Sequence, residues 1–134
     1  MIVTTDIYKI LFDKLKSFSI KDIYDNWNAI KEGVKSELIV IVVKDFLEPE
    51  TYWEVCYPHI NICVPYLTGG KANTIRLNEL ERAIKKLLIG ESGVFDGSQY
   101  HWEIDRIGIE EDVKLSCSYV NVVLKFKVLN IKNK

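Results

Sequence analysis

The sequence predicts an α+β domain in which two helices pack against a mixed or antiparallel sheet of four to five strands. An apolar stripe at helical spacing lies near the N-terminus, a clearer one lies in the middle of the chain, and apolar or alternating runs occur between and after them. The 134 residues fit one domain with one core, which needs neither disulfides nor metal to fold. With 48% apolar and 28% charged residues the composition is that of an ordered globular protein, so nearly the whole chain is expected to fold.

The first helix is expected over residues 5–18, because Ile7, Ile10, Leu11, Leu15 and Phe18 recur at three- and four-residue steps. Thr4, Thr5 and Asp6 are candidate caps for its free amides. A short strand is expected between Ile20 and Asn28. The run from Glu37 to Val43 is continuously apolar and β-branched, as in a central strand covered on both faces. After a polar turn around Glu48 to Thr51, one strand is expected from Tyr52 to about Val64. In it Trp53, Val55 and Tyr57 share one parity and Ile60, Ile62 and Val64 the other, so a bulge is expected at Pro58.

The second helix, residues 74–89, has Leu77, Leu80, Ile84, Leu87 and Leu88 on one stripe. Asn73 or Thr74 caps its start, Lys85 and Lys86 stand near its negative end, and Gly90 terminates it. Gly90 to Ser98 reads as a loop. Alternation of Tyr100, Trp102 and Ile104 then gives a half-buried strand, with Glu110 to Asp112 in a turn. The last strand places Val120, Val122, Leu124, Phe126 and Val128 on one face. It is expected at a sheet edge, partly protected by Lys125 and Lys127.

A net charge of −1 argues against a protein that works by neutralising phosphates, so no specific nucleic acid is expected as a partner. Cys56, Cys63 and Cys117 are odd in number and lack framework spacing, which suits free thiols in a reducing compartment. The N-terminal residues carry charges too early for a signal peptide, and no apolar run approaches membrane-spanning length. The expectation is a soluble, cytoplasmic protein with no membrane partner.

Chemical motifs are sparse. Gly69 to Lys71 resembles part of a phosphate-binding loop, yet Ala72 stands where a hydroxyl would hold magnesium. A turn before a capped helix is the better reading, and a small anion- or ligand-binding enzyme using the Gly69 to Asn73 loop is the alternative function. Cys56, His59 and Cys63, with His101 or Cys117, lack the tight pairs of a zinc site. Glu103, Asp105 and the Glu110 to Asp112 carboxylates read as a solvated face. No catalytic residue, cofactor or metal is expected. The aromatic residues Tyr52, Trp53, Tyr57, Tyr66, Tyr100, Trp102 and Tyr119 exceed what the core needs and suggest a protein-binding surface. Trp53, Tyr57, Tyr66, Tyr119, Asn121 and Val123 are the candidate interface residues.

The stretch Tyr57 to Leu88 resembles the tail terminator (tail-completion) proteins of tailed bacteriophages. The residues that carry the likeness are Asn61, Ile62, Val64 and Pro65 in a strand, then Asn73, Arg76, Leu77, Glu79 and Leu80 opening a helix, then Tyr119 and Asn121 in the final strand. The resemblance implies a structural, non-enzymatic subunit of a homo-oligomeric ring, usually a hexamer. Such a ring caps the tail tube, contacts the tail tube protein and the head or neck proteins, and resides in the virion tail after assembly in the bacterial host cytoplasm. Another phage head-tail connector protein fits the same likeness.

Overall fold

A computed structural model describes residues 1–44, 46 and 52–130. Its elements run α1 (Thr4–Leu15), β1 (Ile23–Tyr24), β2 (Leu38–Val42), β3 (Glu54–Cys56), β4 (His59–Pro65), α2 (Thr74–Leu87), β5 (Glu91–Phe95), β6 (Ser98–Asp112) and β7 (Cys117–Leu129). The α+β class and the two helices are as expected. The sheet is mixed, with β1 parallel to β2 and all other pairs antiparallel. Among the described residues it holds seven strands, more than the four to five expected, in the order β1-β2-β4-β7-β6-β5, with β3 also paired to β7. The expected turn around Glu48 to Thr51 lies outside the described residues.

Both helices pack on one face of this sheet. Leu77, Leu80 and Ile84 of α2 and Ile7, Leu11 and Leu15 of α1 meet Ile39, Ile41, Ile60, Ile62, Val120, Val122, Leu124 and Phe126 in one core. Asn73 accepts from the Arg76 amide and so caps α2, while Asp6 accepts from the Val3 amide at the start of α1. Helix α1 lies against β2, yet Lys14 near its end pairs with Glu91 of β5 at 2.8 Å, and Met1 reaches Asp96 beyond β5. The sheet therefore curls around α1, bringing β2, next to one end of its strand order, and β5, at the other end, to the same helix.

The opposite face is covered only in part. The crossover from β1 to β2 passes over it, placing Val34 and Trp27 against Leu38, Val40, Cys63 and Cys117 in a second, smaller cluster. Gly33 has φ +92 there, and a Cβ on it would sit 3.3 Å from the Leu115 carbonyl oxygen. A side chain at this position is thus opposed by both backbone conformation and space.

Several expectations need correction. The bulge at Pro58 is absent: Glu54 pairs with Val128 and His59 with Val123, so five residues along one strand match five back along the other. β3 and β4 keep one register across Pro58, which has no N–H to give to the ladder but accepts from the Leu124 amide at 3.0 Å. Cys56 consequently shares the helix-facing side with Ile60 and Ile62. The register shift occurs instead in β6, between Ile104 and Arg106. Because Asp105 is the extra residue, Ile104, Ile107 and Ile109 all turn to the helix side.

The Gly90 to Ser98 loop is largely strand β5, and Glu110 to Asp112 belong to β6 and not to a turn. In β5 the inward positions are Glu91, Gly93 and Phe95 while Val94 points out at 67% exposure, the reverse of a legible strand pattern. The last strand is not an edge. β7 is paired with β6 on one side and with β4 and β3 on the other. Trp102, expected among surplus aromatics, is fully buried, stacked with Tyr100 and Phe126, and donates its indole N–H to the Leu88 carbonyl at the end of α2.

Candidate functional site

Two features stand out from this frame. The first is a cleft of about 200 Å³ on the sheet face away from the helices, lined by Trp27, Val42, Lys44, His59, Asn61, Glu110, Tyr119 and Asn121. Alternation along β4 and β7 places these polar side chains there, since Ile60, Ile62, Val120 and Val122 take the other face. Asn61 and Asn121 are direct cross-strand partners and both are buried.

Their hydrogen bonds form a directed relay. The Val40 carbonyl accepts from Asn61 Nδ2 at 3.2 Å, which turns Asn61 Oδ1 toward Asn121. Asn121 Nδ2 donates to that oxygen at 2.7 Å and to His59 Nδ1 at 3.1 Å. A carbonyl can only accept, so each amide orientation follows from the one before it, and His59 Nδ1 must be the unprotonated nitrogen. The imidazole is thus neutral with its proton on Nε2. Burial, with the charges of Lys44 and Arg106, lowers the His59 pKa in the same sense, against a smaller opposing effect of Glu110. Tyr119, tilted against Trp27 at 5.2 Å between ring centres, has its hydroxyl pushed up to about 12 by burial and by the Glu110 carboxylate.

The second feature is the outer edge of β6. β5 pairs with Ser98 to Trp102 only, so among the described residues nothing pairs with that edge from Glu103 to Asp112. It carries Glu103, Asp105, Glu110, Glu111 and Asp112 against one cation, Arg106. Ile109 beside it is 47% exposed and Val113 71%. Elsewhere, Arg82, Lys85 and Lys86 of α2 form an exposed basic face with Ile89, which is 66% exposed.

The residues expected at an interface do not share one surface. Asn121 and Val123 are buried within the subunit, Val123 at 2% exposure, and Tyr119 is half-buried against Trp27. Tyr66 follows β4 and donates its hydroxyl to Glu111 at 3.0 Å, near the open edge. Trp53 is half-buried and faces the β5–β6 hairpin in a separate hollow with Tyr100 and His101, and Tyr57 is half-buried between β3 and β4. Tyr52 is the most exposed large aromatic.

The Gly69 to Asn73 segment is a hairpin turn. Leu67 bridges Lys71, Gly69 and Gly70 have φ of +90 and +77, and Asn73 already occupies the helix start. Cys56 faces the helices, whereas His59 and Cys63 face the other way, so strand alternation keeps this trio apart. Cys63 instead lies against Cys117, and this hydrogen bond together with burial raises its thiol pKa. No group of three metal-ligating side chains gathers among the described residues, and no helix there is long and apolar enough to cross a membrane.

The sequence signal for the cleft was two asparagines, Asn61 and Asn121, interrupting otherwise apolar strands, where such residues are disfavoured. The signal for the open edge was the change of parity from Ile104 to Ile107 and Ile109. The chain matches no family model, and no curated protein is significantly similar to it.

Proposed function

We propose that this chain is a structural subunit that joins its copies head to tail into a ring, in the manner of a phage tail terminator. The supporting observation is the open edge of β6. Among the described residues its outward amides and carbonyls from Glu103 to Asp112 lack strand partners, and Ile104, Ile107 and Ile109 turn toward the helix layer with no further described strand beside them. A second copy that continues this edge would extend both the ladder and the apolar layer.

The surface to meet it is the α2 face of Arg82, Lys85, Lys86 and Ile89, opposite in charge and likewise partly apolar. Two unlike patches on one subunit make a heterologous contact, and such contacts close into rings when the rotation permits. The contact moves from the final strand, where the sequence suggested it, to β6. A ring of six is the number the family resemblance supplies, with tail tube and neck proteins as its axial partners and the virion tail as its location.

Mass in solution and electron microscopy, with and without a tail tube protein, test this reading. The expected result is a ring whose subunit contacts each bury at least ~1,000 Å², lost in Ile109→Glu. A persistent monomer in both conditions, indifferent to Ile109→Glu, overturns it.

A further inference from the structure

We propose that the open edge of β6 receives an extended segment of a different protein as an added strand, one that alternates basic and apolar residues and sets an aromatic side chain opposite Gly108. The inference shares this edge with the ring reading but assigns it a second occupant. In a ring the neighbour's α2 takes the edge, so the segment belongs to the unassembled subunit and competes with assembly.

The edge opens where β5 starts. Glu91 lies opposite Trp102, and the chain before it turns away at Gly90, where a Cβ would stand 3.2 Å from the Trp102 carbonyl oxygen. Beyond the bulge, Arg106 to Asp112 keep one continuous register with β7. Every second residue of such a strand turns its N–H and C=O away from the partner it already has, which is what an added strand pairs with. A strand laid there has Ile107 and Ile109 beside it on the helix side, in line with Val122 and Val120. On the other side it has Gly108 and Glu110, in line with Asn121 and Tyr119.

Charge decides which strand fits. The edge carries Glu103, Asp105, Glu110, Glu111 and Asp112 against Arg106 alone. Two copies of it set edge to edge would bring like charges together, which opposes self-pairing. The strands at the margins of the sheet are no better matched: β1 has two residues, β3 has three, and β5 has no cation. Among the described residues this chain therefore offers no strand suited to its own edge, and charge complementarity selects a basic one from another protein.

Gly108 is an independent signal. Glycine inside a strand weakens it and often marks the close approach of another backbone, and a Cβ on Gly108 would meet nothing within 4 Å. The neighbouring hairpin shows how a strand glycine is covered. Gly93 lies opposite Tyr100, and a Cβ on Gly93 would collide with the Tyr100 hydroxyl, so the tyrosine lies over the glycine across from it. Opposite Gly108 in β7 stands Asn121, whose amide is turned to Asn61 and His59. The space over Gly108 is thus open to a side chain from the other flank.

The probe is a capped peptide, Lys-Val-Lys-Val-Tyr-Val-Thr. In antiparallel register it sets lysines beside Asp112 and Glu110, tyrosine beside Gly108 and valines beside Ile109 and Ile107. It is titrated into the unaltered protein and into Arg82→Glu/Lys85→Glu/Lys86→Glu, in which no neighbouring α2 can take the edge, with amide hydrogen exchange followed by NMR. The result expected in the variant, and in the unaltered subunit whenever it is monomeric, is saturable binding with Kd on the order of 100 µM. Exchange should slow at alternate amides between Arg106 and Asp112. Glutamates in place of the lysines should weaken binding at least about tenfold at low salt, and alanine in place of the tyrosine about threefold or more. Of two peptides N-methylated at alternate residues in opposite phase, one should bind as the parent does and the other at least about tenfold more weakly, because only one phase faces β6. Equal binding of the glutamate or alanine peptide, no difference between the methylated forms, or no saturation below about 1 mM in the variant overturns the inference, whether or not rings form. An unaltered protein that stays monomeric and still binds the peptide in this way overturns the ring alone.

Discussion

Asn121 Nδ2 lies 2.7 Å from Asn61 Oδ1, directly across the ladder between the two longest-buried strands, and both side chains are nearly closed to water. Two amides at the centre of an apolar sheet are tolerable only because each satisfies the other and the Val40 carbonyl completes the chain. Removing one member leaves the other buried with an unmet group. Asn121→Ala should therefore cost about 1–3 kcal/mol, more than its lost apolar contact explains. The double variant Asn61→Leu/Asn121→Leu should cost less than the two single leucine variants added together. Urea denaturation of the four proteins measures this, and strict additivity would show that the relay does not act as a unit.

The same relay makes His59 a source of acid sensitivity. Its folded pKa is lowered from 6.5, by burial first, then by Lys44 and Arg106, with Glu110 working the other way. In the unfolded chain the imidazole takes its proton near 6.5, and in the folded protein only at lower pH. The unfolded state then binds more protons, so the stability present above pH 6.5 is lost as pH falls through the folded pKa. An imidazolium would also donate at Nδ1, against the Asn121 amide. NMR titration should give His59 a midpoint below 6.5, moved further down by Glu110→Gln and up by Lys44→Ala. A midpoint above 6.5 is incompatible with the hydrogen-bond directions described.

Trp102 shows how burial overrides a surface-like pattern. Alternation with His101 and Glu103 places it correctly on one side of β6. Sequence alone does not reveal that the end of α2 arrives there, with the Leu88 carbonyl 3.3 Å from the indole nitrogen. Trp102→Ala should destabilise by about 3–5 kcal/mol, and Leu80→Ala in the same core by about 2–5 kcal/mol. Thermal or chemical unfolding measures both; a loss below 1 kcal/mol at Trp102 would place it outside the core.

What was legible in the sequence follows from how local each signal is. The stripes of α1 and α2 and the cap at Asn73 are properties of a few neighbouring residues, and they appear where periodicity puts them, except that α1 ends at Leu15 and Phe18 joins the core from beyond the helix. Strand β5 was hidden because Glu91 and Gly93 take inward positions while Val94 points to solvent. The parity of Trp53, Val55 and Tyr57 against that of Ile60, Ile62 and Val64 points to a bulge at Pro58, yet Val55 and Cys56 are both buried, one on each face of β3. Register with β7 decides the matter, and register is a tertiary property. In β6 the true parity change was visible in the three-residue step from Ile104 to Ile107.

That assignment predicts opposite outcomes for two deletions in one strand. Removing Asp105 removes the extra residue and leaves Ile104, Ile107 and Ile109 on the helix side, so the protein should stay folded with native near-UV circular dichroism. Removing Gly108 turns Ile109 outward and Glu110 inward beside Val120, which should cost upwards of about 3 kcal/mol. Equal damage from both deletions would mean that Asp105 is not the residue that resets the register.

The ring reading makes a stricter demand, because it assigns opposite charges to two separate faces of one subunit. Variant A reverses the edge with Glu103→Lys, Asp105→Lys and Glu111→Lys, and leaves α2 basic. Variant B reverses α2 with Arg82→Glu, Lys85→Glu and Lys86→Glu, and leaves the edge acidic. Each alone brings like charges together at every contact and should remain monomeric at low salt. Mixed together, the basic edge of A meets the acidic helix of B, and the acidic edge of B meets the basic helix of A, so assembly should return. Only strict alternation satisfies every contact, and alternation closes a ring only when the number of subunits is even, as six is. Raised salt should weaken the unaltered and mixed rings alike, since these charges are exposed and screened within about 8–10 Å. Native mass spectrometry of the mixture checks all of this together. Equal numbers of A and B in a closed assembly support the edge-to-helix contact, and rings formed by A or B alone exclude it.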